Sequence, residues 1–486
     1  MTTCIIEIKD EVNCKLHNLE LTDRKRLVEK FKFEIPGARY LPAVRLGRWD
    51  GKVPYFNLGG TTYINLLPEI LPFVEERGYN IDIQDSRDYS VTFEFDPITE
   101  TSFADIKWPK GHPAEDQSIL LRDYQVEIIN KFLENPQCIQ EVATGAGKTI
   151  MTAALSARVQ KYGRTVVIVP SKSLVTQTEA DYINMGLDVG VLFGDRKEYN
   201  RTHTICTWQS LNTLLKNTKN YEADVTIQDF VDGVVCVMVD EAHSAKADAL
   251  KSLLTTVFAK TPIRWGLTGT IPKEDYAFQA LNCCIGPVMG RLSASELQEA
   301  GHLSNCHVNI VQLVDYVEYK DYQQELKYLL ETDNRINYIS ALVNKIADSG
   351  NTLVLVDRVG PGRELAGKIN NAVFVSGATK AKDRKDEYDE VAVSDRKVIV
   401  ATYGVAAVGI NIPRIFNLVL VEPGKSFVRV IQSIGRGIRK AQDKDHVEIW
   451  DITSTCKFAK RHLTKRKAFY KEANYPFSLE KLDWQS

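Results

Sequence analysis

The chain has 486 residues, which at about 150 residues per domain allows roughly three domains. Hydrophobic residues make up 44% and charged residues 26%, a balance that excludes a disordered, a collagen-like and a disulfide-stapled chain. The 61 basic and 63 acidic residues leave a net charge of −2, so any surface for a polyanion must be local.

Nine cysteines are present, none in a C-x-x-C pair, and the adjacent Cys283 and Cys284 lack zinc-finger spacing. They are expected to be reduced thiols of a cytoplasmic protein. The opening MTTCIIEIKDEVNC is not expected to be a signal peptide. No apolar run approaches the ~20 residues needed to cross a bilayer.

Residues 1–95 read as a small mixed α+β unit by alternation and turn signals. CIIEI and VTFEF have strand alternation, and LTDRKRLVEKF reads as a helix capped by Thr22 or Asp23. Within this stretch Arg39, Arg45, Arg48 and Lys52 surround Tyr40 and Trp49, with a D-G turn. Basic residues interleaved with aromatics can bind phosphate and stack on bases, which makes Arg48 and Trp49 candidate nucleic-acid contacts. A β-hairpin with Trp49 in the core is the alternative. Residues 96–116 carry three prolines and read as a linker.

From Leu120 the texture changes. TVVIVP, THTICTW, VVCVMVD and RWGLTGT are apolar runs separated by helical stretches, and the pattern returns in NTLVLVD, AVFVSG, KVIVATY, NLVLVE and HVEIWDI. Strands apolar almost throughout are covered on both faces, so the expected class is α/β with two parallel-sheet domains in series. Their bounds are placed at 117–305 and 306–455, joined near 290–310. The last segment, 456–486, reads as a basic tail: from Cys456 to Glu472 there are seven Lys or Arg and one acid. Lys465 and Arg466 are candidate phosphate contacts there. A solvated basic helix face is the alternative.

The sharpest chemical signal is VATGAGKT, residues 142–149, between a strand-like and a helix-like run. Gly145 and Gly147 let the backbone around Thr144 and Ala146 turn its N–H groups toward phosphate, at the positive end of the following helix. Lys148 is placed to meet the β- and γ-phosphates of ATP, and Thr149 to hold Mg²⁺ through its hydroxyl. Val142 stands where the strict pattern has its first glycine. Some 92 residues after Lys148, Asp240 and Glu241 end the apolar run VVCVMVD. Carboxylates at a strand tip suit a second Mg²⁺ contact (Asp240) and the general base for the attacking water (Glu241).

V-D-E-A-H following A-T-G-x-G-K-T resembles the superfamily 2 helicases and translocases with a DEAH-type second motif. Further motifs of that family follow in order. Arg122 and Gln125 in LRDYQ resemble the adenine-reading motif, VPSKSLVTQ with Ser171 resembles motif Ia, and CTWQSL with Thr207 and Gln209 resembles a strand-contacting motif. GLTGT with Thr268 and Thr270 resembles motif III, VATYGVAAVGINIP with Gly409 and Asn411 resembles motif V, and QSIGRGIRK resembles motif VI. Asn411 stands where the family usually carries an Asp.

The resemblance implies two tandem RecA-like domains. It makes Arg436 and Arg439 arginine fingers and Gly409 and Asn411 ribose contacts. Ser376 and Thr402 join Ser171, Thr207 and Gln209 as backbone contacts, and His243, Thr268, Thr270 and Gln432 become coupling residues. R-x-G-x-W-D-G ahead of such a motor resembles the accessory domain of phage branched-DNA helicases of the UvsW type. The expected protein is therefore an ATP- and Mg²⁺-dependent DNA helicase or translocase. It would remodel forks, D-loops, R-loops or Holliday junctions without sequence preference, as a monomer in the host cytoplasm or nucleoid, with no membrane partner. An RNA helicase, a double-strand translocase that never separates strands, and a scaffold with a degenerate ATP site are the rival readings.

Overall fold

The computed structural model describes residues 2–110, 114–222, 224–246, 248–379, 386–388, 390–391, 393–405, 412, 414–424, 434–435 and 443–485. Two compact units result, one of residues 1–142 with 147–291 and the other of 143–146 with 292–486. Gly409, Asn411, Gln432, Arg436 and Arg439 lie outside the described residues.

The accessory domain opens the first unit. Its strands are β1 (Thr3–Ile8), β2 (Asn13–His17), β3 (Lys32–Glu34), β4 (Lys52–Pro54), β5 (Thr61–Tyr63) and β6 (Asn80–Asp85). Four of them make a sheet in the order β5-β2-β1-β6, while β3 and β4 pair separately. Period-two burial of Cys4, Ile6 and Ile8 turns one face of β1 inward. That face packs on Leu27, Phe31, Phe56 and Val74, and the same cluster takes in Ala280 and Cys283 of the next domain. Tyr55 donates its hydroxyl to the Tyr276 carbonyl at 2.6 Å, and the Asn65 amide reaches the Asn282 carbonyl at 2.8 Å. The accessory core is thus completed by the helix Asp275–Cys284.

Two expectations here need correction. The helix runs Leu21–Lys30, but Thr22 and Asp23 do not cap it; Glu20 stands at the N-cap and makes no side-chain cap bond. Asp23 is buried and accepts from Arg77 Nε and the Tyr79 hydroxyl, both at 2.8 Å. VTFEF forms no strand either. Its Phe93 and Phe95 rings pack edge-on against Tyr162, whose hydroxyl both donates to the Glu94 carbonyl and accepts the Glu94 N–H. One side chain thereby satisfies the backbone that a neighbouring strand would have paired.

The first α/β domain holds β7 (Gln137–Val142), β8 (Arg164–Val169), β9 (Val189–Phe193), β10 (Arg196–Lys197), β11 (His203–Thr207), β12 (Val234–Asp240), β13 (Ile263–Thr268) and β14 (Val288–Leu292). The order is β10-β9-β11-β8-β12-β13-β7-β14. The five strands β11, β8, β12, β13 and β7 pair in parallel.

The second unit builds its sheet from β15 (Asn305–Leu313), β16 (Thr352–Val356), β17 (Ala372–Val375), β18 (Val398–Thr402), β19 (Asn417–Val421), β20 (His446–Ser454) and β21 (Phe477–Leu482). The order is β17-β18-β16-β19-β20-β15-β21, with every neighbouring pair parallel. The stretch expected as a basic tail is part of this domain: it supplies the helix Lys457–Glu472 and the edge strand β21. The start of that helix is held by Glu325, whose carboxylate accepts the N–H groups of Phe458 at 3.0 Å and Ala459 at 2.7 Å. An acidic group at a helix N-terminus is favoured by the dipole as well as by the bonds.

All nine cysteines are free and buried. Among the described residues no helix is long and apolar enough to cross a membrane.

A buried charge network ties the second sheet to its helices. Arg335 Nη2 meets Glu422 Oε1 at 2.7 Å and Arg335 Nε lies 3.4 Å from Asp315 Oδ2. Burial pushes the Glu422 carboxyl up to about 7, against the pull of Arg335. The folded form therefore keeps a proton that the unfolded chain releases near the ordinary carboxylate range. Stability from this group is complete below that range and is lost as pH rises through about 7. Thermal melts at stepped pH should show Glu422→Gln removing a downward slope of at most about 1.4 kcal/mol per pH unit. Identical slopes in both proteins would refute the assignment.

Candidate nucleotide and nucleic-acid sites

The carboxyl ends of parallel strands share one edge of the sheet. In the first α/β domain this edge collects, in strand order, Thr207 at the end of β11, Ser171 just past β8, Asp240 at the end of β12, Thr268 at the end of β13 and the phosphate loop after β7. Neighbouring strands stand ~4.8 Å apart, so four strand steps put Thr207 roughly 19 Å from the loop. The residues expected to meet nucleotide occupy one half of the edge, and those expected to meet a polynucleotide the other.

In the loop, Gly145 has φ +94° and Gly147 has φ +83°, the left-handed region that glycine reaches without strain. Gly147 is the N-cap of the helix Lys148–Val159 and offers no side chain to its first N–H groups. A Cβ on Gly147 would lie 2.7 Å from Gln125 Nε2, so a larger residue would displace the Gln125 amide. A helix N-terminus whose cap offers no side chain, beside two glycines in left-handed backbone, fits a phosphate chain. Gln125 is buried and accepts the Arg122 N–H at 3.0 Å, which seats the expected adenine-reading amide beside the loop.

Lys148 Nζ lies 3.0 Å from Glu241 Oε1. Glu241 stands at φ +53°, costly for a non-glycine residue, where the chain leaves β12. Its N–H donates to Asp240 Oδ1 at 2.9 Å. Its second oxygen is 3.4 Å from His243 Nδ1, and that nitrogen lies 3.0 Å from the Thr268 hydroxyl. Thr268 in turn donates to the Thr270 carbonyl at 2.9 Å. A continuous polar path therefore runs from the loop lysine, through the DEAH residues, to the GLTGT segment.

Sequence reasoning missed Asp181, which accepts a short hydrogen bond from the Thr149 hydroxyl. The two residues sit on neighbouring helices and share no motif, so nothing in the sequence pairs them. Ser171 and Thr207 are N-caps of the helices Lys172–Asn184 and Trp208–Lys219, accepting from the Leu174 and Ser210 N–H groups at 3.3 Å. Gln209 is exposed on the second of these helices. In the second unit Ser376 follows β17 and Thr402 ends β18; the two strands are adjacent and parallel, so these residues are neighbours on that sheet's carboxyl edge.

At the chain's other candidate surfaces, Arg48 is exposed and Trp49 half-buried, its indole N–H donating to the Lys52 carbonyl at 2.9 Å. Lys465 is exposed. Arg466 corrects its expectation: it is 3% exposed and clamped by Asp451, with Nε to Oδ2 at 2.8 Å and Nη2 to Oδ1 at 2.9 Å. Burial works against its charge, but the Asp451 carboxylate overrides this and raises its pKa. Arg466 is a core residue and does not reach a phosphate.

Comparison with known proteins adds an independent strand. Residues 118–273 match the family described as type III restriction enzyme, res subunit, and residues 334–441 match the helicase conserved C-terminal domain. The ATP-dependent DNA helicase uvsW of Enterobacteria phage T4 is 24% identical over 467 residues, covering 92% of this chain and 89% of that protein. The general transcription and DNA repair factor IIH helicase/translocase subunit XPB/SSL2 of Saccharomyces cerevisiae is 23% identical over 384 residues, 74% of this chain and 45% of that protein. Among solved structures, the ATP-dependent type ISP restriction-modification enzyme LlaBIII bound to DNA shares the fold at TM-score 0.56 and 16% identity, over 87% of this chain and 36% of that one.

Proposed function

We infer that this chain, a superfamily 2 helicase, is an ATP-driven DNA helicase or translocase, and that its track is branched DNA. The carrying observation is the path Lys148–Glu241–His243–Thr268 on the same sheet edge as Ser171 and Thr207. Phosphate chemistry and strand grip are thus mounted along one sheet edge, about 19 Å apart. The likeness to the ATP-dependent DNA helicase uvsW of phage T4 over 92% of this chain favours DNA as the track, and the R-x-G-x-W-D-G resemblance favours branched substrates.

In this reading the N–H groups from Gly145 to Thr149 hold the triphosphate, and Lys148 leaves Glu241 to meet its terminal phosphates. Glu241, once free, takes the proton of the attacking water. Thr149 and Asp240 offer the oxygen donors that suit Mg²⁺, which when bound would offset charge on the phosphates. His243 senses which partner Glu241 has and passes the change to Thr268, one strand from Asp240. Backbone contacts from Ser171, Thr207, Gln209, Ser376 and Thr402 carry no base information, so binding is sequence-independent.

Two measurements bear on this. Fork, D-loop, R-loop, four-way-junction, single-stranded DNA and RNA substrates, each with ATP and with a non-hydrolysable analogue, should show remodelling of branched DNA that depends on hydrolysis. Stimulation by RNA alone would select the RNA-helicase rival. Thr268→Val, which keeps shape but removes the hydroxyl, should leave DNA-stimulated hydrolysis within a few-fold of normal while base pairs opened per ATP fall several-fold. A parallel fall in both would remove Thr268 from coupling.

A further inference from the structure

Between β3 and β4 the chain leaves the accessory domain as a short projection. Ala38–Tyr40 and Pro42–Arg45 each form one helical turn. Ala38 and Val44 pack against the returning strand of the projection: a Cβ built on Gly51 would lie 2.9 Å from Ala38 Cβ and 3.5 Å from Val44 Cγ2. The base is fixed by Ile35 N–H to the Gly51 carbonyl at 2.9 Å, Arg48 N–H to the Ala43 carbonyl at 2.8 Å, and the Trp49 indole to Lys52. The projection is a braced element and not a loose loop.

What it presents outward is unusual. Tyr40 is 68% exposed, Leu46 65% and Leu41 45%. Single exposed apolar side chains are ordinary, but three large ones within seven residues make a patch. Arg39, Arg45 and Arg48 flank it, all exposed. The one acid between residues 37 and 52, Asp50, is taken by Lys32 at 2.5 Å. The Arg39 guanidinium lies 4.9 Å from the Tyr40 ring centroid and donates to its hydroxyl at 2.9 Å.

We propose that Tyr40, Leu41 and Leu46 form the wedge that parts base pairs at a DNA junction, with Arg39, Arg45 and Arg48 gripping the backbones on either side. Apolar side chains inserted at a base step replace stacking that opening the pair forfeits. Arginines beside them neutralise the phosphates that come closest. An apolar surface flanked by exposed cations complements a splayed duplex end, whose bases are apolar and whose edges are anionic. The inference rests on the motor reading above and names the part of the machine that separates strands.

The test is a double variant, Tyr40→Ala with Leu46→Ala; both side chains are exposed, so the fold is not at stake. Hydrolysis stimulated by single-stranded DNA and translocation on a single strand should match the parent chain. Fork unwinding should fall at least tenfold. With 2-aminopurine at the fork junction and no nucleotide, the parent should brighten the probe on binding and the variant should not, while Tyr40→Phe should behave as the parent. Unwinding within twofold of the parent, with the probe signal intact, would overturn the wedge and leave the patch as a docking surface for another macromolecule. If the parent chain itself remodels no DNA, the motor reading is what has failed.

Discussion

Glu241→Gln should lower the rate of ATP hydrolysis by about 10²–10⁴ while ATP binding is kept or tightened. The size follows from the usual contribution of a positioned general base. The direction for binding follows from the pair seen here. Lys148 and Glu241 are 9% and 15% exposed and 3.0 Å apart, so nucleotide must take the lysine from a partner that is already well placed. A glutamine still hydrogen-bonds but no longer competes as an anion. Lys148→Ala should differ in kind: it removes the phosphate contact itself, so both affinity and turnover fall. Single-turnover hydrolysis and titration with a fluorescent nucleotide separate the two. Turnover of Glu241→Gln within threefold of the parent would take Glu241 out of the reaction.

Most of both α/β sheets could be read from the chain, for a physical reason. Strands covered on both faces must be apolar along their whole length, so β8, β12, β16 and β19 stand out as runs with no alternation. The phosphate loop is equally legible, since glycine adopts its left-handed backbone angles without strain. The failures share the opposite property: their determinants lie far away in the chain. VTFEF alternates like a strand, yet Tyr162 takes both its rings and its backbone. Thr149 is tied to Asp181 by the packing of two helices. β21 is exposed along most of its length, and among the described residues it pairs with a strand some 170 residues earlier.

Arg466→Ala should be strongly destabilising, costing roughly 3–5 kcal/mol of folding stability. By composition the arginine belongs to a run of surface cations, but helical spacing contains the opposite answer. Ala459, Leu463, Arg466 and Tyr470 recur at intervals of four, three and four and form one buried stripe of the helix Lys457–Glu472. An arginine in such a stripe must bring its own partner. Asp451 on β20 supplies two bonds, with a third from Arg466 Nη1 to the Gly424 carbonyl at 2.7 Å. Tyr470 donates to the same Asp451 at 2.7 Å. Truncating Arg466 leaves that carboxylate fully buried without a counter-charge, which is why the cost exceeds that of an ordinary surface pair. The neighbouring Lys465→Ala should stay within about 0.5 kcal/mol of the parent. If Lys465 meets a phosphate, its removal reduces the slope of log affinity against log salt by about 0.9. Denaturant titration and salt titration of DNA binding therefore read opposite members of an adjacent pair. A stable Arg466→Ala protein with a flattened salt slope would return Arg466 to the DNA-binding surface and overturn the core assignment.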